Sequence, residues 1–362
     1  MNAAYLEREL DEIEKLGVPY FDLEVRQNHE VIFAAERGHG GRGKRFFLFS
    51  CTKPITSACS LRLMEEGKLD IDAPVSRYLP AYANAFVLKD GKPCPPDTVM
   101  TLRHLFTMSA GLDYNLRSDP IRKAAAQPDA DTVSIANAFI ESPLSFSPGQ
   151  RYQYSLCLDT LGAVIEQASG MSLADCMRER FFEPLGMKDT SFKYNESELA
   201  QKYVYNAGEY LPDKSENAYI LSEKYCSGGA GLVSTARDLA LFADALACGG
   251  TGVNGARLLR PETVDLMRSD QMPRVLREQN FSCAGGEEFS YALGVHTLVR
   301  KLPSTRAPYG VFGWDGAAGA YMMSDTENRL SISFIMHVHN WPSIRPCFHR
   351  PLRNAVYTAL EG

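Results

Sequence analysis

FFLFSCTKPITSACSLRLMEEG, residues 46–67, decides the fold. A short apolar stretch, FFLFS (46–50), reads as a strand and runs into a largely apolar helix from about Cys51 to Glu66, closed by Gly67. Pro54 lies in the first turn of that helix, where a missing N–H costs little. Ser50 and Lys53 stand three apart at the helix start, so they share a face, with the Ser50 hydroxyl beside unpaired backbone N–H groups. That placement suits a nucleophile: N–H donors hold an oxyanion, and a desolvated ammonium shifts toward its neutral form and accepts the Ser proton. S-x-x-K has only two fixed positions and arises by chance about once or twice in a chain of this length. A helix-capping serine with a surface lysine is the plain alternative.

Outward from this junction, strands flank the helix on its N-terminal side. Leu6, Leu10, Ile13 and Leu16 recur at steps of three and four, which predicts an amphipathic helix over 4–16, stopped by Gly17. FDLEVRQ (21–27) and EVIFAAERG (30–38), joined by Asn28 and His29, predict a β-hairpin. From about Asp72 to Asn217 the pattern changes to short helices and Pro-rich loops such as KDGKPCPPD (89–97), which predicts a helical insertion. Within it, Ser172 and Asp175 have capping-box spacing ahead of a helix ending before Pro184. STARDLALFADALACGG (234–250) predicts a helix with Ser234 as N-cap. Strands resume at YALGVHTLVR (291–300), GAYMMSD (319–325) and LSISFIMHV (330–338), and the last 20 residues predict a closing helix. The expected fold class is therefore α/β of the α+β type. Its mostly antiparallel sheet is built from residues 1–71 and 218–362, the all-helical lobe from 72–217, and the active site lies at their junction.

A second candidate element is SPGQRYQYS (147–155), a turn leading into an apolar helix that ends at Gly170. A phenol such as Tyr154, held near a lysine ammonium, has its anion stabilised and can relay protons; the alternative is a core tyrosine.

In order and rough spacing, five further segments accompany the Ser50 helix: TLRHLFTMSAGL (101–112), FSPGQRYQYS (146–155), FFEPLGMKDTSF (181–192), GGAGLVSTARDLALFADAL (228–246) and FGWDGAAGAYMMSDTENRLSISF (312–334). With them the chain, from about Gly17 to His339, resembles the serine β-lactamase-like family of class C β-lactamases, D-alanyl-D-alanine carboxypeptidases and family VIII carboxylesterases. The resemblance implies a β-lactamase/transpeptidase-like fold. It makes Ser50 the acylated nucleophile, Lys53 its proton acceptor and Tyr154 the shuttle to the leaving group, and it places the oxyanion hole at the backbone N–H groups of Ser50 and Ala317.

Two departures narrow the substrate. Tyr154-Ser155-Leu156 stands where β-lactamases and peptidases of the family carry Tyr-x-Asn, so a carboxamide is missing at Leu156. Trp314-Asp315-Gly316 stands where they carry Lys-Thr-Gly or His-Thr-Gly, so an indole replaces a cation and Asp315 adds negative charge. A substrate anion left unpaired typically loses several kcal/mol. Penicillins and peptide C-termini are thus disfavoured, and Trp314 offers apolar area to a neutral acyl or alcohol group. The expected function is a serine hydrolase acting through a covalent acyl-enzyme, a carboxylesterase on neutral, short-chain or apolar esters or amides. Alternatives are β-lactamase, D-Ala-D-Ala peptidase or acyltransferase activity, or a non-catalytic binding protein that kept the fold.

Other readings exclude more than they add. Thirty-eight basic against 44 acidic residues give a net charge of −6, so nucleic acid is not an expected partner. No stretch reaches the roughly 18 to 20 apolar residues of a membrane span, and the acidic start differs from a signal peptide. Nine scattered cysteines without C-x-x-C suit buried thiols in a reducing cytoplasm. Gly38-His39-Gly40-Gly41-Arg42-Gly43 matches G-x-G-x-x-G, but a strand follows it, so it reads as a strand connection. His337 and His339 lack companions for a metal site. No metal or cofactor is expected, and no G-x-S-x-G elbow is present.

Overall fold

The protein is described here by a computed structural model covering residues 1–273, 276–278 and 288–361. Helix α1 (Ala4–Lys15) buries Leu6, Leu10 and Ile13, the stripe its spacing predicts. Strands β1 (Tyr20–Gln27) and β2 (Glu30–Gly38) follow, joined through Asn28 and His29 at φ +51° and +72°. Two successive left-handed residues are what a two-residue hairpin turn demands.

Helix α2 (Thr52–Glu65) has no solvent face over most of its length, every residue from Thr52 to Leu61 being buried. Its small and apolar side chains suit a helix packed on all sides. Helix α3 (Cys157–Ser169) packs against it from the helix-rich segment, and helix α4 (Ala236–Ala247) covers one face of the sheet.

Toward the C-terminus come β3 (Phe289–Tyr291), β4 (His296–Leu298), β5 (Phe312–Asp315), β6 (Tyr321–Asp325), β7 (Leu330–Met336) and helix α5 (Arg350–Glu361). The sheet order is β2-β1-β7-β6-β5-β4-β3, with every neighbouring pair antiparallel. In β7, Ile332 and Phe334 point to the core under α1 and α5, while Ser331 and Ser333 alternate to the other face. There the Ser333 hydroxyl donates to the Ala236 carbonyl (2.9 Å), and Ser324 of β6 donates to that of Ala243 (2.8 Å). Small hydroxyls let α4 lie close to the strands.

Several expectations change. FFLFS is a strand only at Phe46–Phe47, paired with Val233–Ser234, before the chain turns at Phe49. YALGVHTLVR is a hairpin, not one strand: the chain reverses at Gly294 (φ +73°), where a Cβ would meet Ser57 Oγ of α2. The α4 cap is Thr235, whose side chain accepts from the Asp238 N–H (3.2 Å), while Ser234 bonds Thr190. The 72–217 segment is helix-rich but not all-helical. It carries hairpins at Val87–Cys94 and Lys202–Asp213, and the second pairs in parallel with Val338–His339. Of the cysteines, Cys51, Cys59, Cys157 and Cys176 are buried, Cys347 is exposed, and Cys283 lies outside the described residues. Among the described residues no helix is long and apolar enough to cross a membrane.

Candidate active site

Phe49 has φ +46°, a conformation uncommon for a bulky residue. Its ring is fixed edge-on by His339 at 4.7 Å and by Tyr219 at 6.2 Å. The Leu48 N–H is tied to the Leu232 carbonyl (2.9 Å), so the chain bends sharply and a 3-10 turn, Phe49–Cys51, leads into α2. Ser50 sits half-buried at that bend.

One turn later Lys53 is fully buried. Its ammonium lies 3.0 Å from Ser50 Oγ, donates to the Gly229 carbonyl at 2.8 Å and reaches Tyr114 Oη at 3.4 Å. Burial lowers its pKa to about 8, the charge of Asp159 opposing the shift. Asp159 of α3 in turn accepts from the hydroxyls of Tyr225 (2.9 Å) and Ser227 (2.5 Å), which fixes the loop that presents Gly229. Glycine is required there, since a Cβ at 229 would stand 2.4 Å from Asp159 Oδ2.

Tyr154, just ahead of α3, donates its O–H to Ser50 Oγ at 2.6 Å and accepts from the Trp314 indole N–H at 3.3 Å. Its ring is stacked between Tyr114 (5.6 Å) and Trp314 (5.7 Å), with the Lys53 ammonium 4.6 Å from its centroid. Burial pushes the phenol well above its usual range, so it rests protonated.

The end of β5 closes the arrangement. Gly316 is pressed against the turn before Ser50, because a Cβ at 316 would stand 2.3 Å from the Leu48 carbonyl oxygen. Its own N–H bonds the Ala320 carbonyl at 2.7 Å. The N–H groups of Ser50 and Ala317 donate to no backbone carbonyl among the described residues, and both residues border the same cleft of about 580 Å³. Two unspent N–H donors beside a hydroxyl can stabilise a developing oxyanion.

Ser50, Lys53, Tyr154 and Ala317 therefore converge, while the residues expected to bind substrate divide. Leu156 is 2% exposed and lies outside the cleft lining, since it heads α3, a helix buried from its first turn. Trp314 is also 2% exposed, so it braces Tyr154 rather than offering open apolar area. Half-buried apolar wall comes instead from Trp341, Ile344 and Tyr219, which the sequence reading passed over. Asp315 does not add a free negative charge. Its carboxylate takes a two-pronged ion pair from Arg345, with Nη2 at 2.9 Å, and has His349 Nδ1 at 3.6 Å. Burial opposes ionisation, yet the Arg345 guanidinium, and after it the contact with His349, hold it well below the usual carboxylate range.

His337 and His339 are spent on packing: His337 Nδ1 lies 3.1 Å from the Ala200 carbonyl and its ring against Phe46. Among the described residues the group with metal-ligand spacing is His29, Asp244 and Cys248, in which His29 and Asp244 already bond at 2.7 Å. None of the three lines the cleft.

Comparison with known proteins extends the picture. The chain is 30% identical over 316 residues to Protein Rv1367c of Mycobacterium tuberculosis, covering 82% of this chain and 78% of that one. It is 36% identical over 190 residues to Esterase EstB of Burkholderia gladioli, covering 48% and 47%. Its fold superposes with a TM-score of 0.83 on "EstCE1, a hydrolase with promiscuous acyltransferase activity", at 24% identity over 98% of both chains. Residues 24–346 match the Beta-lactamase family, a span that takes in strands from both ends of the sheet and the helix-rich segment between them. By that match this protein belongs to the beta-lactamase family.

Proposed function

We propose that the protein is a serine hydrolase that forms an acyl-enzyme at Ser50, a carboxylesterase for neutral, apolar esters, with amides as slower substrates. One observation carries the reading: the Ser50 hydroxyl is contacted by both an amine of lowered pKa and a protonated phenol. Neutral Lys53 takes the Ser50 proton as Oγ attacks the carbonyl carbon, and the N–H groups of Ser50 and Ala317 receive the oxyanion. When the tetrahedral intermediate collapses, Tyr154 gives its phenolic proton to the leaving alkoxide. Lys53 then returns the proton it took, and the Trp314 N–H steadies the transient phenolate. Water repeats the sequence in reverse to release the acid. An alcohol seated in the same cleft would take the acyl group instead, and EstCE1, a hydrolase with promiscuous acyltransferase activity, lends that second reading support.

In this account 1–71 with 218–362 form the sheet lobe, 72–217 the helix-rich lobe, and the reaction occurs where they meet. The partner is a small ester or amide rather than nucleic acid or membrane. Free thiols fit a cytoplasmic setting. The test is turnover of p-nitrophenyl acetate and butyrate against nitrocefin, in wild type and Ser50→Ala. Ester hydrolysis faster than nitrocefin hydrolysis, lost in the variant by about a thousandfold or more, is expected. Equal turnover by Ser50→Ala, or nitrocefin as the faster substrate, overturns it.

A further inference from the structure

Of the residues lining the cleft, only Asp315 and Arg345 are charged among those described. They come from different elements, Asp315 from the end of β5 and Arg345 from the segment 341–346, and meet in a direct ion pair at the cleft lining. Arg345 spends Nε and Nη2 on the Asp315 carboxylate, while Nη1 has no partner among the described residues. The guanidinium also lies 5.6 Å from the Trp314 ring. The arginine side chain is 33% exposed and the aspartate 12%, so the cation is the member that solvent and substrate meet. His349, the other basic group against Asp315, is buried behind it and does not line the cleft.

We propose that Asp315 and Arg345 form a charge filter: each silences the other, so the cleft accepts neutral acyl groups and refuses both carboxylate-bearing and cationic ones. This inference deepens the esterase reading and rests on it for its biological meaning. A ligand carboxylate near Nη1 is attracted by Arg345 but repelled by Asp315 only slightly farther away, so little net attraction remains to offset its desolvation. A carbonyl or ester oxygen loses much less water and can still accept from Nη1. Removing either partner unmasks the other, and the two removals must shift selectivity in opposite directions.

The two tryptophans of the chain, Trp314 and Trp341, both line this cleft, so intrinsic fluorescence reports its occupancy without any catalytic step. The experiment titrates 4-phenylbutyramide, 4-phenylbutyrate and 4-phenylbutylamine into wild type, Asp315→Asn, Arg345→Met and the double variant. Wild type is expected to bind the amide most tightly. Asp315→Asn should raise the affinity for the acid relative to the amide by about tenfold or more, and Arg345→Met should do the same for the amine. The double variant should restore the wild-type order. A purely structural role for the pair would weaken all three ligands together. Ratios that stay within about threefold of wild type, or that move in the same direction in both single variants, overturn the filter. If one single variant does not fold, the other decides alone. Absence of ester turnover would instead count against the hydrolase reading and leave this binding result standing.

Discussion

In the proposed mechanism Lys53 carries the chemistry at the residue scale, because burial with no carboxylate bonded to it lowers the amine toward the pKa a general base requires. With its pKa lowered to about 8, Lys53 is mostly protonated at neutrality and gains basic character as pH rises. The expected kcat/KM for p-nitrophenyl butyrate climbs with pH and levels off above about 8; a flat profile from about pH 6 to about pH 9 would contradict that role. Linkage gives a second readout. The unfolded chain keeps this proton up to the ordinary lysine value, the native chain only to about 8, so stability rises with pH between the two. Below that window the buried charge destabilises the fold by about 3 kcal/mol. Lys53→Met should therefore abolish turnover yet stabilise the protein to urea at pH 7. S-x-x-K was legible because its two members are one helical turn apart. Tyr114, which meets Lys53 and Tyr154, and Arg345, which lines the cleft, were not, since each comes from a remote segment and neither position carries a local pattern.

Among the elements, close approach at glycine decides the geometry. Gly229 lets the loop after Tyr225 lie against α3 and aim its carbonyl at Lys53. Gly229→Ala is expected to lower kcat/KM for esters by about a hundredfold, as roughly 1 Å of misplacement does, while the Ser50 hydroxyl stays in place. Activity within about threefold of wild type would show that the carbonyl does not position the lysine. The same close contacts explain what the sequence reading lost. Period and turn residues exposed α1, the β1–β2 hairpin and α4, because each alternates or repeats against one apolar face. YALGVHTLVR has no such alternation and is buried from Tyr291 to Leu298, so a hairpin and a single strand read alike until Gly294 meets α2. FFLFS shortens to two residues because Phe49 must turn to present Ser50.

For the whole molecule, the sheet joins both ends of the chain: β1 pairs with β7, and α1 packs on α5 over Phe21, Leu23 and Phe334. Leu10, fully buried in that layer, should cost roughly 2 to 5 kcal/mol when cut to alanine. Chemical denaturation is the measure, and a loss below about 1 kcal/mol would mean that α1 is not part of the core. The antiparallel sheet and helix-rich insert were readable from the order of strand-like and helix-like segments. Their meeting line was not, because Tyr154 and Ser50 stand 104 residues apart and only folding joins them. That union is the central claim, and trapping its product tests it most directly. Wild-type protein quenched in acid during turnover of p-nitrophenyl butyrate should gain the mass of one butyryl group, on the peptide containing Ser50, and Ser50→Ala should gain none. A butyryl group on another residue, or turnover with no acylated species at any time, would contradict the account.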